Sequence, residues 1–530
     1  MVICVHATLL SPSIKGSFLR LARSVMTISL SHDIFVSIIQ DYTSERSTLC
    51  SLSLVSRSFC DAAQRILFDS VLLYYDPYST EEDSQKDIDH PDPFEWPKLE
   101  FLARSNKILQ YIQVLGVVIS YAPNRATCDS DTYWQETGGR PVLDTLDRFL
   151  PSCLDRMSAL SEISYSGPAL RTPMHQAILC HKTLQFLKVS AKTHCSVPCK
   201  EALQQAKSGS VRKLDFIELG NELGVFGIVG PGLYSAGPRR CAFLSHMILT
   251  HSTSLRVLKV PITLLYDALR PHFLLACKFP DFPRLSSLHI EDSKTSFALR
   301  RLFPAMTATV VSFILHVHQT LEVLHWGLDM LEVMTKRITT AHLPNLTKLS
   351  GYRIQHLIQS QLESLKIAGL LPSDFDLEKD WSLLRQTSSI LPGLTILALS
   401  TTIQLMAIPR DICTFKNLVD LWYEELPDCT LYHGESQGDF VFEFLHVVLP
   451  ALSKLRDLCI TVNGTTLDYG AIAMPATRLL PSSRSLLRLT IQYVVLPMTC
   501  YRLDVNRNDP KSSWMHASYE GLHYQKKFTL

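Results

Sequence analysis

One hydrophobic pattern, which we call the leucine pattern, recurs along most of this chain. It consists of an apolar residue, two variable positions, a leucine or isoleucine, one variable position and a final apolar residue. Because its last two apolar positions alternate with a variable one, each copy predicts a short strand with one buried face. The copies are Leu109/Ile112/Val114, Leu160/Ile163/Tyr165, Leu184/Leu187/Val189, Val211/Leu214/Phe216, Leu255/Leu258/Val260, Leu285/Leu288/Ile290, Leu321/Leu324/Trp326, Leu362/Leu365/Ile367, Leu394/Leu397/Leu399, Leu418/Leu421/Tyr423, Leu455/Leu458/Ile460 and Leu486/Leu489/Ile491.

A further copy and the segments between the strands complete this prediction. Leu346 and Leu349 begin a copy whose final position is Gly351, so we expect that copy to have decayed. Between copies, stretches such as 309–317 are apolar enough to form helices that cover a sheet. A single strand of this kind cannot bury its face, whereas a stack of strands can. Strands that alternate with helices therefore predict an irregular α/β solenoid over 99–499, with parallel strands and covering helices.

A different pattern occupies residues 30–73. Ser31 can cap a helix, and Asp33 lies in the first turn, where the helix dipole favours an acid. The apolar stripe that follows is Ile34, Phe35, Ile38, Ile39 and Tyr42. After the polar run 43–47, a second stripe is formed by Leu49, Leu52, Val55, Phe59 and Ala63. Together they predict a short helical hairpin, which buries too little surface to be stable without packing on something else.

At these residues the chain resembles two known families. The segment 30–73 is similar to an F-box, and Ser31 stands where that family has proline. The downstream copies resemble the loose leucine-rich repeat that accompanies many F-boxes, although their spacing is uneven and the asparagine of that repeat occurs only as Asn463. The residues that match the F-box are Leu30, Asp33, Ile34, Phe35 and Ile38 in its opening, then Leu49, Leu52, Leu54, Val55, Ser56, Arg57 and Phe59.

The F-box resemblance implies a role and a set of partners. It implies the substrate-recognition subunit of an SCF-type ubiquitin ligase, in which the F-box docks the Skp adaptor and hence the cullin scaffold. The solenoid would then bind a target protein that the sequence does not identify. Some apolar residues of the hairpin must face inward and others the adaptor, and the sequence does not divide the two sets. The residues implied for this surface are Ile34, Phe35, Ile38, Leu49, Leu52, Leu54, Val55 and Phe59.

Composition narrows the class of protein further. The chain has 530 residues and a formal net charge of +1, and we find no cluster of lysine and arginine, so we expect no nucleic-acid partner. No apolar run reaches the roughly eighteen residues that a membrane-spanning helix needs, so we expect no membrane partner. Its 14 cysteines are scattered, as is typical of reduced proteins, and we expect a cytoplasmic or nuclear location.

The segments outside the two patterns suggest the domain organisation. We expect residues 1–29 to be a disordered leader, although Lys15, Arg20 and Arg23 without any acid are also compatible with a mitochondrial presequence. We expect an acidic, proline-containing linker over 74–98 and a polar tail over 500–530.

Candidate chemistry is sparse, and we expect no catalytic, cofactor or metal site. The glycine-rich stretch 227–232 is not followed by the Gly-Lys-Ser/Thr of a phosphate-binding loop. His181 and His318 each lie three residues before a copy of the leucine pattern, where an imidazole at a helix end can meet the last free carbonyls. The residues that could in principle bind zinc are Cys180, His181, His194, Cys195 and Cys199, but they lack a Cys-x-x-Cys pair, and a copy of the pattern separates them.

Two alternatives to the ligase subunit stay open. The first is a leucine-rich-repeat interaction scaffold without a ligase role, whose F-box-like helices only cap the array. The second is a hydrolase or metal-binding protein whose site is assembled between repeats, because a search for motifs does not detect such a site.

Overall fold

The computed structural model describes seventeen segments of the chain, which form parts of two compact units, Met1–Leu214 and Asp215–Leu530. The segments predicted as the leader (1–29) and most of the linker (76–95) lie outside the described residues. The described segments are 46–54, 57–75, 96–119, 139–167, 172–191, 214–220, 247–274, 279–291, 303–327, 337–352, 357–370, 389–401, 412–425, 437–464, 485–495, 499–506 and 514–518.

In the first unit, four described strands pair in parallel and in chain order. Val71, Leu115, Ile163 and Leu187 lie side by side in this sheet and are buried. The elements are α1 (Arg46–Ser53), α2 (Arg57–Leu67), β1 (Ser70–Tyr75), α3 (Trp96–Arg104), α4 (Asn106–Leu109), β2 (Val114–Ile119), α5 (Gly139–Leu154), β3 (Glu162–Gly167), α6 (Thr172–Cys180) and β4 (Phe186–Ala191).

In the second unit, ten described strands are parallel and the last two are antiparallel. The strands are β5 (Phe216–Gly220), β6 (Val257–Pro261), β7 (Ser287–Glu291), β8 (Val323–Gly327), β9 (Lys348–Tyr352), β10 (Ser364–Leu370), β11 (Ile396–Thr401), β12 (Asp420–Glu425), β13 (Asp457–Gly464), β14 (Arg488–Val495), β15 (Thr499–Asn506) and β16 (Trp514–Ser518). The helices are α7 (Ile262–Leu274), α8 (Phe303–Val317) and α9 (Gln437–Ala451), with 3-10 turns at His318–Thr320 and Thr340–His342. Helix α8 confirms the helix predicted around 309–317.

The middle leucine of each copy holds the second unit together. These residues pair from strand to strand without a change of register, and none is more than 1% exposed. They are Ile217, Leu258, Leu288, Leu324, Leu349, Leu365, Leu397, Leu421, Leu458 and Leu489. Each strand thus buries its leucines against both neighbours, which confirms the stacked parallel arrangement that the leucine pattern predicts.

Backbone groups at the start of each strand are also paired in a repeated way. A single carbonyl accepts two successive N–H groups from the following repeat, as Arg256 does from Ser286 and Ser287, both at 3.0 Å. Sharing of one acceptor in this way satisfies the donors that would otherwise be orphaned where a strand begins.

Side-chain amides reinforce the same turns, but not at the position where the sequence suggested an asparagine. Asn345, Gln361 and Asn417 each directly precede the first leucine of a copy. Their side-chain nitrogens donate to the backbone oxygens of Gln319 (2.8 Å), Pro344 (2.7 Å) and Pro392 (2.6 Å), which lie in the preceding repeats. The sequence lacks the asparagine ladder of the family, and these amides are partners of the turns in its place.

Two copies of the leucine pattern were predicted in the wrong frame. The strand residues are Ile112/Leu115/Val117 rather than Leu109/Ile112/Val114, because Leu115 is the residue that pairs with Ile163. Likewise, Leu214/Ile217/Leu219 replaces Val211/Leu214/Phe216, because Ile217 pairs with Leu258. In both segments apolar residues continue at intervals of three, so the pattern fits two frames and only pairing with a neighbouring strand selects one.

The boundaries of the array differ from the prediction at both ends. The first strand, β1, lies before residue 99: Val71 and Leu73, which we placed at the end of the F-box, pair with Leu115 and Val117. The reason is that Phe68/Val71/Leu73 has the spacing of the leucine pattern. The segment predicted as a polar tail contains β15 and β16, because the apolar residues of 501–505 alternate with polar ones, as a strand requires.

The copy that ends in Gly351 is not decayed. It forms strand β9, and Gly351 occupies the place beside Trp326 that an apolar residue has in other copies. Its φ of 147° lies in a region that side-chain-bearing residues rarely adopt, and a Cβ atom there would lie 2.0 Å from the carbonyl oxygen of Trp326. Glycine allows the neighbouring backbone to approach this closely.

Candidate protein-interaction sites

The first candidate site is the hairpin of α1 and α2. It differs from the predicted hairpin, because the single helix predicted to carry Leu49, Leu52, Val55, Phe59 and Ala63 is divided into α1, which ends at Ser53, and α2, which begins at Arg57. The helix predicted to start at Ser31 lies outside the described residues.

The interior of the hairpin is formed by Leu49, Phe59 and Ala62, with Leu52 and Ile66 packed against it in partly buried positions. Leu49 is 4% and Phe59 3% exposed, so both side chains pack in the interior of the hairpin.

Leu54 lies at the turn after α1 and is 87% exposed, more than any other large apolar side chain among the described residues. Leu54 is therefore accessible to another molecule. Of the remaining predicted residues, Ile34, Phe35, Ile38 and Val55 lie outside the described residues. In the described part of the hairpin, Leu49 and Phe59 thus face the interior and Leu54 faces outward. Binding of an adaptor by any of these residues stays a prediction.

The hairpin is joined directly to the first repeats. Lys107 of α4 forms an ion pair with Asp61 of α2, and the ring centroids of Phe68 and Phe101 are 6.4 Å apart. The carbonyl of Asp69 accepts the N–H groups of the two residues that lead into β2, and burial raises the pKa of its carboxyl group. These contacts place the hairpin as the first layer of the array.

The second candidate site lies on the sheet of the second unit, on the side opposite to the leucines. We define the lysine–histidine face as the first two residues of each of β6 to β9 that alternate with the leucines. It contains two lysines and two histidines, and Glu291 continues the same side of β7. Its members are Val257, Lys259, Ser287, His289, Val323, His325, Lys348 and Ser350.

Hydrogen bonds fix the two imidazoles of this face. Ser287 Oγ is 2.9 Å from His289 Nε2, Ser350 Oγ is 2.9 Å from His325 Nδ1, and the ring centroids of the two histidines are 5.7 Å apart. His289 is 6% exposed; burial first, and then the charges of His325 and Lys259, lower its pKa to about 3. His289 is therefore neutral near pH 7. Both serine hydroxyls are buried and serve as partners of the rings.

Two acids lie at the margin of the lysine–histidine face. The ammonium group of Lys259 is 3.9 Å from the carboxylate of Glu218 on β5, at the limit of an ion pair, and lies over the ring of Phe216 at 5.7 Å. Glu291 lies two residues after His289, at the end of β7; burial and then the charge of Glu218 raise the pKa of its carboxyl group, and the charge of Lys259 opposes this rise. Further along the same side, Asp420 and Asp457 of β12 and β13 are adjacent, and Asp457 pairs with Arg488 at 3.2 Å.

Sequence reasoning missed this face, although the copies contain its signal. Lys259, His289 and His325 each occupy the variable position between the last two apolar residues of their copies. When the copies are aligned on their leucines, these three residues come from successive copies and fall into one row. We had considered histidines only in the turns before the copies.

The histidines in those turns have the predicted structural role, with one difference. His318 Nδ1 contacts the carbonyl of Leu315 in its own helix, α8. The ring of His181, which follows α6, instead has its Nε2 3.1 Å from the carbonyl of Leu154, the last residue of the preceding helix α5. Burial lowers the pKa of His181. The ring of His181 therefore links two repeats. Of the other residues considered as zinc ligands, His194, Cys195 and Cys199 lie outside the described residues.

Two searches of the described residues gave negative results. Within them, no three histidine, cysteine, aspartate or glutamate side chains are grouped so that they could hold a metal ion. Among the helices that the structure describes, none has the length and apolar character required to cross a membrane.

Comparisons with known proteins add limited information. No family model and no curated protein matches the chain. Among solved structures, the chain is similar to the leucine-rich repeat-containing protein LegL7 from Legionella pneumophila (14% identity, covering 59% of this chain and 84% of that one, TM-score 0.30). It is also similar to TLR13 in its complex with ssRNA13 (13% identity, covering 74% of this chain and 48% of that one, TM-score 0.31). A third similar structure is an internalin, inlF, from Listeria monocytogenes (12% identity, covering 72% of this chain and 80% of that one, TM-score 0.24). Because these TM-scores are low, the fold is assigned from the strand pairings of this chain and not from the similar structures.

Proposed function

We propose that this chain is the substrate-recognition subunit of an SCF-type ubiquitin ligase. In this proposal, the hairpin of α1 and α2 binds the Skp adaptor and thereby the cullin scaffold, while the sheet of the repeats binds a target protein. The chain performs no chemistry itself. By holding the target near a ubiquitin-charged enzyme, it raises the effective concentration of the target's lysines.

The observation that carries the proposal is the exposure of Leu54. The F-box resemblance assigns this leucine to the adaptor-binding surface, and its 87% exposure leaves it accessible while Leu49 and Phe59 stabilise the hairpin. Burial of an exposed leucine side chain at an interface contributes roughly 1.5 to 3 kcal/mol. We therefore expect Leu54 to contribute to adaptor binding.

Capture of the Skp adaptor by the full-length chain tests this proposal. Wild-type protein should retain the adaptor on an affinity resin, and Leu54→Asp should reduce the retained amount at least tenfold, because a carboxylate would be desolvated in an apolar interface. Leu487→Asp is the matched control, since Leu487 is an exposed leucine of the second unit. Failure of the wild type to retain adaptor, or equal retention by Leu54→Asp, would refute adaptor docking.

One observation favours a second function, that of an interaction scaffold without a ligase role. The ion pair between Asp61 and Lys107 and the hydrogen bonds to the Asp69 carbonyl attach the hairpin to the repeats, as a terminal cap requires. In that case the repeats would still bind a protein, but the adaptor would not be captured. The same capture experiment separates the two functions.

A further inference from the structure

We draw no further inference here: the strongest candidate, the lysine–histidine face of β6 to β9, has Glu291 on its own side of the sheet and Glu218 paired with Lys259 at its margin, and nothing in the part of the chain that the structure describes shows what covers it.

Discussion

Gly351 illustrates how much a single position decides in a stack of strands. The leucine pattern suggested that glycine ends a decaying copy, because an apolar side chain is missing there. Instead, the backbone of Gly351 packs directly on the carbonyl group and Cβ atom of Trp326 on the neighbouring strand. The close approach of two backbones, rather than the size of a side chain, excludes a larger residue at this position.

Replacement of Gly351 by alanine should destabilise the protein by at least about 2 kcal/mol, since strained backbone and steric overlap with the Trp326 carbonyl act together. The free energy of unfolding is measured by urea denaturation. Gly393→Ala is the control, because a Cβ atom there would meet nothing within 4 Å. Equal stability of the two variants would show that the backbone at Gly351 relaxes without cost.

His289 makes the folded state sensitive to acid. In the folded chain its pKa is about 3, whereas the ordinary value is 6.5, so the unfolded chain takes up a proton first as the pH falls. Its contribution to stability is therefore intact above pH 6.5 and decreases as the pH falls from 6.5 towards 3. Burial is the largest cause of the low pKa of His289, and the charges of His325 and Lys259 lower this pKa further because they repel a proton on the His289 ring.

The free energy of unfolding should be about 2 kcal/mol lower at pH 5 than at pH 7.5. Each pH unit below the pKa of the unfolded chain lowers it by about 1.36 kcal/mol until the pKa of the folded chain is reached. His289→Gln should remove this part of the pH dependence, measured as unfolding free energy from pH 7.5 to 5. Ser287→Ala is the control: it deletes the hydroxyl bonded to Nε2 but keeps the titrating ring, so the slope should persist. An unchanged slope in His289→Gln would contradict the assignment.

At the level of strands and helices, the sequence was most informative where apolar spacing was unambiguous. Copies such as Leu285/Leu288/Ile290 specify both the strand and the buried side. Where apolar residues continued at intervals of three, as from Leu109 to Leu115, the frame depended on pairing with β3, which no local pattern contains. Strand β15 was not predicted because Cys500, rather than a leucine or valine, stands in the leading position before Leu503 and Val505.

The candidate sites were predictable to different degrees for a similar reason. Periodicity placed Leu49 and Leu54 on the same helical segment, but whether each faces the interior depends on how α2 packs against α1. The side-chain ladder of Asn345, Gln361 and Asn417 was also hidden, because it uses two residue types and carbonyls about 17 to 26 residues away. Contacts between repeats, rather than patterns within them, decide these features.

For the whole second unit, stability is expected to come from neighbouring repeats rather than from one central core. Every described strand from β6 to β14 buries its leucines against the two strands beside it. In such arrays the free energy is close to a sum of repeat and interface contributions, so damage in one repeat affects mainly its neighbours. Leu397 of β11 lies in the middle of this array and is fully buried.

Leu397→Ala should therefore lower hydrogen-exchange protection in β10, β11 and β12 while β6 and β7 stay protected. Truncation of a buried leucine costs about 2 to 5 kcal/mol locally, which is enough to open a repeat whose interfaces are the main source of its stability. Ile390→Asp is the control, since Ile390 is 45% exposed close to the same repeat, and its exchange pattern should match the wild type. A uniform loss of protection from β6 to β14 would instead mean that the strands unfold as one cooperative unit.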